Sequence, residues 1–160
     1  MKREIKIRKA KVTDVKQIQK LINYYANKRV MLPRALNEIY ENIRGFIVAT
    51  RGRSIVACCA LGVSWEDLAE VKSLAVMPKY RRKGLGRELV GMCHAEAGKL
   101  GIKRVFALTY VPKFFRKLGY SEISRDSLPH KVWSECIRCP FFPDCNEVPL
   151  LINLDGNESV

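Results

Sequence analysis

Two stretches of this chain hold residues whose types and spacing can do chemistry. The first is Arg81-Arg82-Lys83-Gly84-Leu85-Gly86-Arg87, in which cations flank two glycines where an apolar strand pattern gives way to a helical one. Gly84 and Gly86 let the backbone approach a ligand closely. The free N–H groups of a helix start, and its dipole, favour an anion there. Arg81, Arg82, Lys83 and Arg87 add charge-assisted hydrogen bonds. A phosphate or pyrophosphate suits this chemistry. The Gly-x-x-x-x-Gly-Lys-Ser/Thr pattern of a Walker loop is absent, as is the Gly-x-Gly-x-x-Gly of a dinucleotide fold. Spacing alone leaves open a plainer reading, a glycine turn opening a helix beside solvated cations.

The second stretch is His130, Cys136, Cys139 and Cys145, spaced His-x5-Cys-x2-Cys-x5-Cys. The Cys-x2-Cys piece suits tetrahedral zinc, with His130 as a fourth ligand. A second Cys-x2-Cys is lacking, so a loop-packed set of reduced thiols and a redox pair are weighed against the metal. Trp133, Phe141 and Phe142 are expected to anchor the segment. Cys58, Cys59 and Cys93 fall on element patterns and read as small core residues. His94 is expected to be exposed.

The elements that must position these residues follow from periodicity. Ile5 and Ile7 alternate with polar residues as in a strand. Thr13 and Asp14 can cap a helix carrying Val15, Ile18, Leu21, Ile22 and Tyr25 on its apolar side. Pro33 can open a second helix, with Leu36, Ile39, Tyr40 and Ile43 facing inward. Phe46 to Ala49 and Ile55 to Val63 read as strands joined by Arg51-Gly52-Arg53. Ala69 to Val76 is the next strand, stopped by Pro78. A helix runs from the glycine loop to about Leu100, with Gly101 as its C-cap. Val105 to Leu108 is a strand and Phe114 to Leu118 a short helix. The remainder reads as loop as far as a last strand, Val148 to Leu154. The pattern predicts an α/β (α+β) domain over residues 1–160, with a mixed central sheet of about six or seven strands and flanking helices. The cysteine loop, 126–147, lies within it.

Composition bounds the partners. The 160 residues include 29 Lys and Arg against 16 Asp and Glu, a net charge of +13, spread along the chain. Such a balance favours acidic partners. The run Lys79 to Lys83 offers only Tyr80 for base stacking, which argues against nucleic acid. No stretch approaches the length of a membrane-spanning helix. Met1 to Ile5 is charged and lacks the apolar region of a secretory signal. A cytoplasmic protein is expected, its six cysteines reduced, catalytic or metal-binding rather than paired in disulfides.

Arg81-x-x-Gly84-x-Gly86, after Glu70-Val71-Lys72-Ser73-Leu74-Ala75-Val76, resembles the acetyl-CoA signature of the GCN5-related N-acetyltransferases (GNAT). Phe114-Phe115-Arg116-Lys117-Leu118-Gly119-Tyr120 resembles their second hallmark, a short helix ending in Leu-Gly-aromatic. The resemblance covers nearly the whole chain. It implies acetyl-CoA as co-substrate, its pantetheine arm lying where the strand before the loop splays from the next. Backbone groups of Leu74, Ala75 and Val76 would bind that arm, the loop from Arg81 to Arg87 the pyrophosphate. Thr109 and Phe115 would complete the cofactor contacts. The Val76 N–H would polarise the thioester carbonyl as an oxyanion donor does.

The attacking amine must first lose a proton, so a base is needed, and Glu70 is the candidate. Strand alternation places Glu70, Lys72 and Leu74 on one face. The competing reading is a solvent-facing carboxylate paired with Lys72. Many family members protonate the departing thiolate with a tyrosine where Phe115 stands here. Tyr110, water or no acid at all are the alternatives, and Tyr120 reads as a core aromatic.

Leu32-Pro33-Arg34, Phe106-Ala107-Leu108-Thr109 and Leu128-Pro129-His130-Lys131-Val132-Trp133 are closest to N-acetylglutamate synthase-type amino-acid N-acetyltransferases. That resemblance implies acetylation of the α-amino group of an amino acid, glutamate above all, as arginine biosynthesis begins. It is to the acetyltransferase half alone, without the amino-acid-kinase domain of classical synthases, so arginine feedback is not carried over. Arg34 and Lys72 would hold the acceptor's carboxylates, with Arg44 a weaker candidate; a surface arginine is the plainer reading of Arg34. Protein N-terminal or other small-amine acetylation on the same fold is the alternative. The sequence leaves oligomeric state open, a homodimer included.

Overall fold

The computed structural model describes residues 4–129 and 147–154. Its elements are β1 (Ile5–Lys9), α1 (Val15–Ala26), α2 (Leu36–Glu41), β2 (Phe46–Arg51), β3 (Ser54–Trp65), β4 (Leu68–Val76), α3 (Leu85–Lys99), β5 (Arg104–Thr109), α4 (Pro112–Lys117), β6 (Ser121–Glu122) and β7 (Val148–Asn153). The strands form one seven-stranded sheet in the order β1-β2-β3-β4-β5-β7-β6. The sheet is mixed: β1–β2, β2–β3, β5–β7 and β6–β7 are antiparallel, and β4–β5 is parallel. Helices flank it, as the alternating pattern predicts.

Two compact units make up the chain, Met1–Gly62 with Val71–Glu96, and Val63–Glu70 with Ala97–Val160. In the first, the apolar stripe of α1 meets the sheet. Val15, Ile18, Leu21 and Ile22 are buried with Ile39, Phe46, Val48, Ile55, Cys58, Ala60 and Ala75. Each large aliphatic side chain buried this way contributes about 1.5–3 kcal/mol. In the second, Leu68, Phe106 and Leu128 form a smaller core against Leu108, Ile123 and Leu151.

The periodicity places most elements within a residue or two, and the differences have local causes. Asp14 does not cap the amides of α1. Its carboxylate accepts the Lys11 N–H at 2.7 Å and both Arg8 Nη1 and Nη2, at 2.7 and 3.0 Å, closing a 3-10 turn over Val12–Asp14. The Arg8 hydrogen bond holds the buried Asp14 carboxyl below the usual carboxylate range. A depressed folded-state pKa stabilises above the unfolded value of about 3.9 and is lost as pH falls through the folded value. Asp14→Asn should therefore lower stability at pH 7 and flatten its dependence on pH below about 4. The expected neutral-pH loss is about 1 kcal/mol, since Arg8 is 37% exposed and solvent screens the pair. Urea unfolding at pH 3 to 7 checks it.

The second helix begins at Leu36, not at Pro33: Ala35 is extended (φ −73°, ψ 154°), and Arg34 lies in that approach. Of its expected apolar side, Ile39 is buried but Tyr40 is 43% exposed. The short helix of the second hallmark starts at Pro112, two residues early, because proline suits the first helical turn. β6, read as loop, has two exposed residues and so no apolar alternation to detect. Among the described residues no helix is long and apolar enough to cross a membrane.

Candidate active site

Within the first unit, β4 runs into the glycine loop and α3. Ala75 is buried, while Leu74 and Val76 are half-buried. Strict alternation is interrupted at Ser73, whose φ of 55° is left-handed, costly for a residue with a Cβ. Two core thiols serve this irregular stretch: Cys58 donates to the Ser73 carbonyl (3.4 Å) and Cys59 to the Lys72 carbonyl (3.8 Å). Cys93 of α3 donates to Cys59 at 3.7 Å. All three cysteines are fully buried, as expected of core residues. Burial pushes the Cys58 thiol up to about 12, and the Cys93 hydrogen bond with burial raises Cys59 as well. Cys58 and Cys59 are therefore poor nucleophiles.

The joint after Val76 is held from three elements. Met77 N–H donates to Val56 O on β3 at 2.8 Å. The Tyr25 hydroxyl, at the end of α1, donates to the Val76 carbonyl. Pro78–Tyr80 then makes a 3-10 turn whose buried Tyr80 accepts a hydrogen bond from Arg51 Nη1 at 3.0 Å. Arg51, Lys79 and Lys83 lie 5.7–5.9 Å from the Tyr80 ring centroid, so cations of β2 and the loop gather around one ring.

Beyond it, Arg82 (φ 62°) and Gly84 (φ 84°) are both left-handed. Alternation of such residues turns successive backbone N–H groups toward a common point, an anion cradle. The Gly84 carbonyl accepts from Glu88 N–H at 3.1 Å and so opens α3. The N–H groups of its first turn, Leu85, Gly86 and Arg87, are left for an outside acceptor. Leu85 is buried and anchors the helix; Arg81, Arg82, Lys83 and Arg87 are exposed. Donors, dipole and exposed cations together suit a pyrophosphate.

The other candidates of this unit sit apart from the loop in sequence. Lys72 is half-buried and crosses Gly62, its Nζ 3.1 Å from where a Cβ on that glycine would stand. Arg34 is 22% exposed and 3.5 Å from Glu38. Its carbonyl accepts from Gln19 Nε2 at 3.1 Å. Arg44 is exposed. His94, expected on the surface, is half-buried, which lowers its pKa.

In the second unit, Glu70 is buried (9% exposed) and stands opposite Phe106 in the parallel register Ala69↔Val105, Glu70↔Phe106. Thr109, buried at the end of β5, accepts the Val111 N–H on Oγ1 at 2.9 Å. Phe115 is buried edge-on to Phe114 and Tyr120, with centroids 5.1 and 5.0 Å apart. Tyr120 is the core aromatic expected, and Tyr110 is half-buried. His130, Cys136, Cys139 and Cys145 lie outside the described residues. Among those described, no group of three or more His, Cys, Asp or Glu is placed to hold a metal ion.

Tyr25, Arg51 and Ser73 carry site geometry that the sequence patterns do not single out. Tyr25 reads as the last apolar position of α1, and Ser73 as an ordinary strand residue. Arg51 reads only as part of the turn Arg51-Gly52-Arg53.

The chain is similar to known proteins over most of its length. A family model described as an acetyltransferase (GNAT) domain matches residues 42–122. An uncharacterised N-acetyltransferase of Chlorobaculum tepidum is 36% identical over 148 residues, 92% of this chain and 96% of its own length. The amino-acid acetyltransferase of Mycobacterium tuberculosis is 34% identical over 135 residues, 82% of this chain and 77% of its length. The solved N-acetylglutamate synthase of Neisseria gonorrhoeae, complexed with coenzyme A and N-acetyl-glutamate, aligns with a TM-score of 0.86 at 25% identity. That match covers 96% of this chain and 36% of the larger protein.

Proposed function

This chain belongs to the GNAT acetyltransferase family, and on that premise we propose that it acetylates the α-amino group of an amino acid, L-glutamate, at the start of arginine biosynthesis. It is an acyltransferase of the acetyl-CoA-dependent kind. The observation that carries the acyl-donor half is the run from β4 through left-handed Arg82 and Gly84 into α3. Support for the acceptor comes from the amino-acid acetyltransferase of Mycobacterium tuberculosis and from the N-acetyl-glutamate in the Neisseria complex.

In the proposed reaction the amine nitrogen attacks the thioester carbon, and Glu70 takes the proton the nitrogen loses. Negative charge builds on the carbonyl oxygen and is met by the Val76 N–H. The C–S bond breaks and the coenzyme A thiolate leaves, to be protonated from water or Tyr110, because Phe115 has no proton to give. Backbone groups of Leu74, Ala75 and Val76 hold the pantetheine arm. Residues Arg81 to Arg87 hold the pyrophosphate, and Thr109 and Phe115 line the cofactor. Arg34 binds a carboxylate of the acceptor in place of its exposed Glu38 partner, and Lys72 the other.

A thiol-release assay with acetyl-CoA and a panel of amino acids and peptides tests the acceptor. Turnover is expected with L-glutamate, giving N-acetylglutamate by mass spectrometry. Turnover with a peptide N-terminus and none with glutamate would replace this reading by protein N-terminal acetylation.

A further inference from the structure

The periodicity of α1 assigns Tyr25 to the core, yet its hydroxyl leaves the core to donate to the carbonyl of Val76, 51 residues away. The ring is half-buried and packs edge-on against Tyr24, centroids 5.0 Å apart. Burial raises the phenol's pKa, so it stays a donor at neutral pH.

The bond's direction matters. In an extended strand the N–H and C=O of one residue point to the same edge, and those of the next residue to the opposite edge. Met77 spends its N–H on Val56, on the β3 side. Val76 therefore turns both its N–H and its C=O to the other edge. The Tyr25 hydroxyl meets the carbonyl there, beside the N–H that the proposed mechanism uses on the thioester.

We infer that Tyr25 is a positioning residue for acyl transfer: it caps the Val76 carbonyl and fixes the Val76–Met77 peptide, so that Val76 meets the thioester with its N–H. This rests on the reading of Val76 as oxyanion donor. The physical need is plain. Negative charge grows on the thioester oxygen as the amine attacks, and an uncapped carbonyl beside it repels that charge. A hydrogen bond to the carbonyl oxygen removes much of the repulsion. Because the charge is present in the transition state and not in the bound ester, the effect belongs to kcat. The peptide is clamped from both ends, by Tyr25 at its oxygen and by Val56 at its nitrogen. It is also the joint from which the chain enters the pyrophosphate loop, so a tilt there moves the donor relative to the bound cofactor.

Tyr25→Phe removes the hydroxyl and keeps the ring packing. The expected result is a kcat about ten-fold lower, below the loss from deleting an oxyanion donor outright. The KM for acetyl-CoA and the melting temperature should stay near those of the parent. Tyr25→Leu should lose as much kcat as Tyr25→Phe, whatever further stability it loses. A Tyr25→Phe kcat within two-fold of the parent overturns the inference, as does a parallel shift of kcat, KM and melting temperature. The kinetics use whichever amine the parent enzyme acetylates. A parent that ignores glutamate thus sinks the acceptor assignment while leaving the Tyr25 comparison intact.

Discussion

Glu70→Gln should lower kcat about a hundred- to a thousand-fold while leaving the KM for acetyl-CoA near its parent value. A positioned general base contributes within that range, and glutamine keeps the shape of the side chain while losing its basicity. Glu70 is buried on β4, in regular parallel register with Phe106, so the isosteric change leaves strand pairing in place. Its loss should therefore fall on proton removal and not on folding. The pH–rate profile distinguishes the two. In the parent, kcat/KM falls on the acid side as the base becomes protonated; in Glu70→Gln that limb should vanish and the residual rate follow ionisation of the free amine. An unchanged kcat, or a Glu70→Gln profile that keeps the parent's acid-side midpoint, would show that another group takes the proton.

The second large effect concerns cofactor affinity. Gly84→Val should raise the KM for acetyl-CoA by one to two orders of magnitude, with Gly84→Ala about ten-fold above the parent. A Cβ at this position meets nothing within 4 Å, so no clash can account for the loss. The backbone does. A φ of 84° costs a residue with a Cβ about 1–2 kcal/mol, and a β-branched one more. The loop already carries one such residue in Arg82. A second strained position is most cheaply relieved by swinging the peptide, which turns the N–H groups at the start of α3 away from the pyrophosphate. Direct titration with coenzyme A separates this from chemistry. Affinity should fall in step with KM, and kcat at saturating acetyl-CoA should change little. Unaltered affinity in Gly84→Val would place the pyrophosphate elsewhere.

Much of the fold was legible because it rests on local physics. The apolar stripe of α1 and the alternation of β1 are periodicities the chain cannot hide: α1 buries Val15, Ile18, Leu21 and Ile22, and in β1 Ile5 and Ile7 are half-buried while Lys6 between them is exposed. Boundaries proved less legible where capping decides them. The start of α2 depends on an extended Ala35, and β6 on two exposed residues that pair only because β7 is there.

The candidate site divides along the same line. The candidate anion cradle was readable from Arg81 to Arg87, because glycine's tolerance of positive φ, the helix dipole and the guanidinium charge all act within a few residues of one another. Ser73 was not, since serine has no preference for a left-handed strand position; it holds that conformation amid tertiary bonds, the Cys58 thiol on its carbonyl among them. Arg51 on Tyr80 and Tyr25 on Val76 join residues 29 and 51 positions apart. No spacing rule carries such pairs, because which hydroxyl reaches which carbonyl is settled when α1, β2, β3 and the end of β4 pack together. The sequence by itself thus determined that a loop of glycines and cations opens α3 and which strand leads to it. Tertiary packing alone decided how the last peptide of that strand is held.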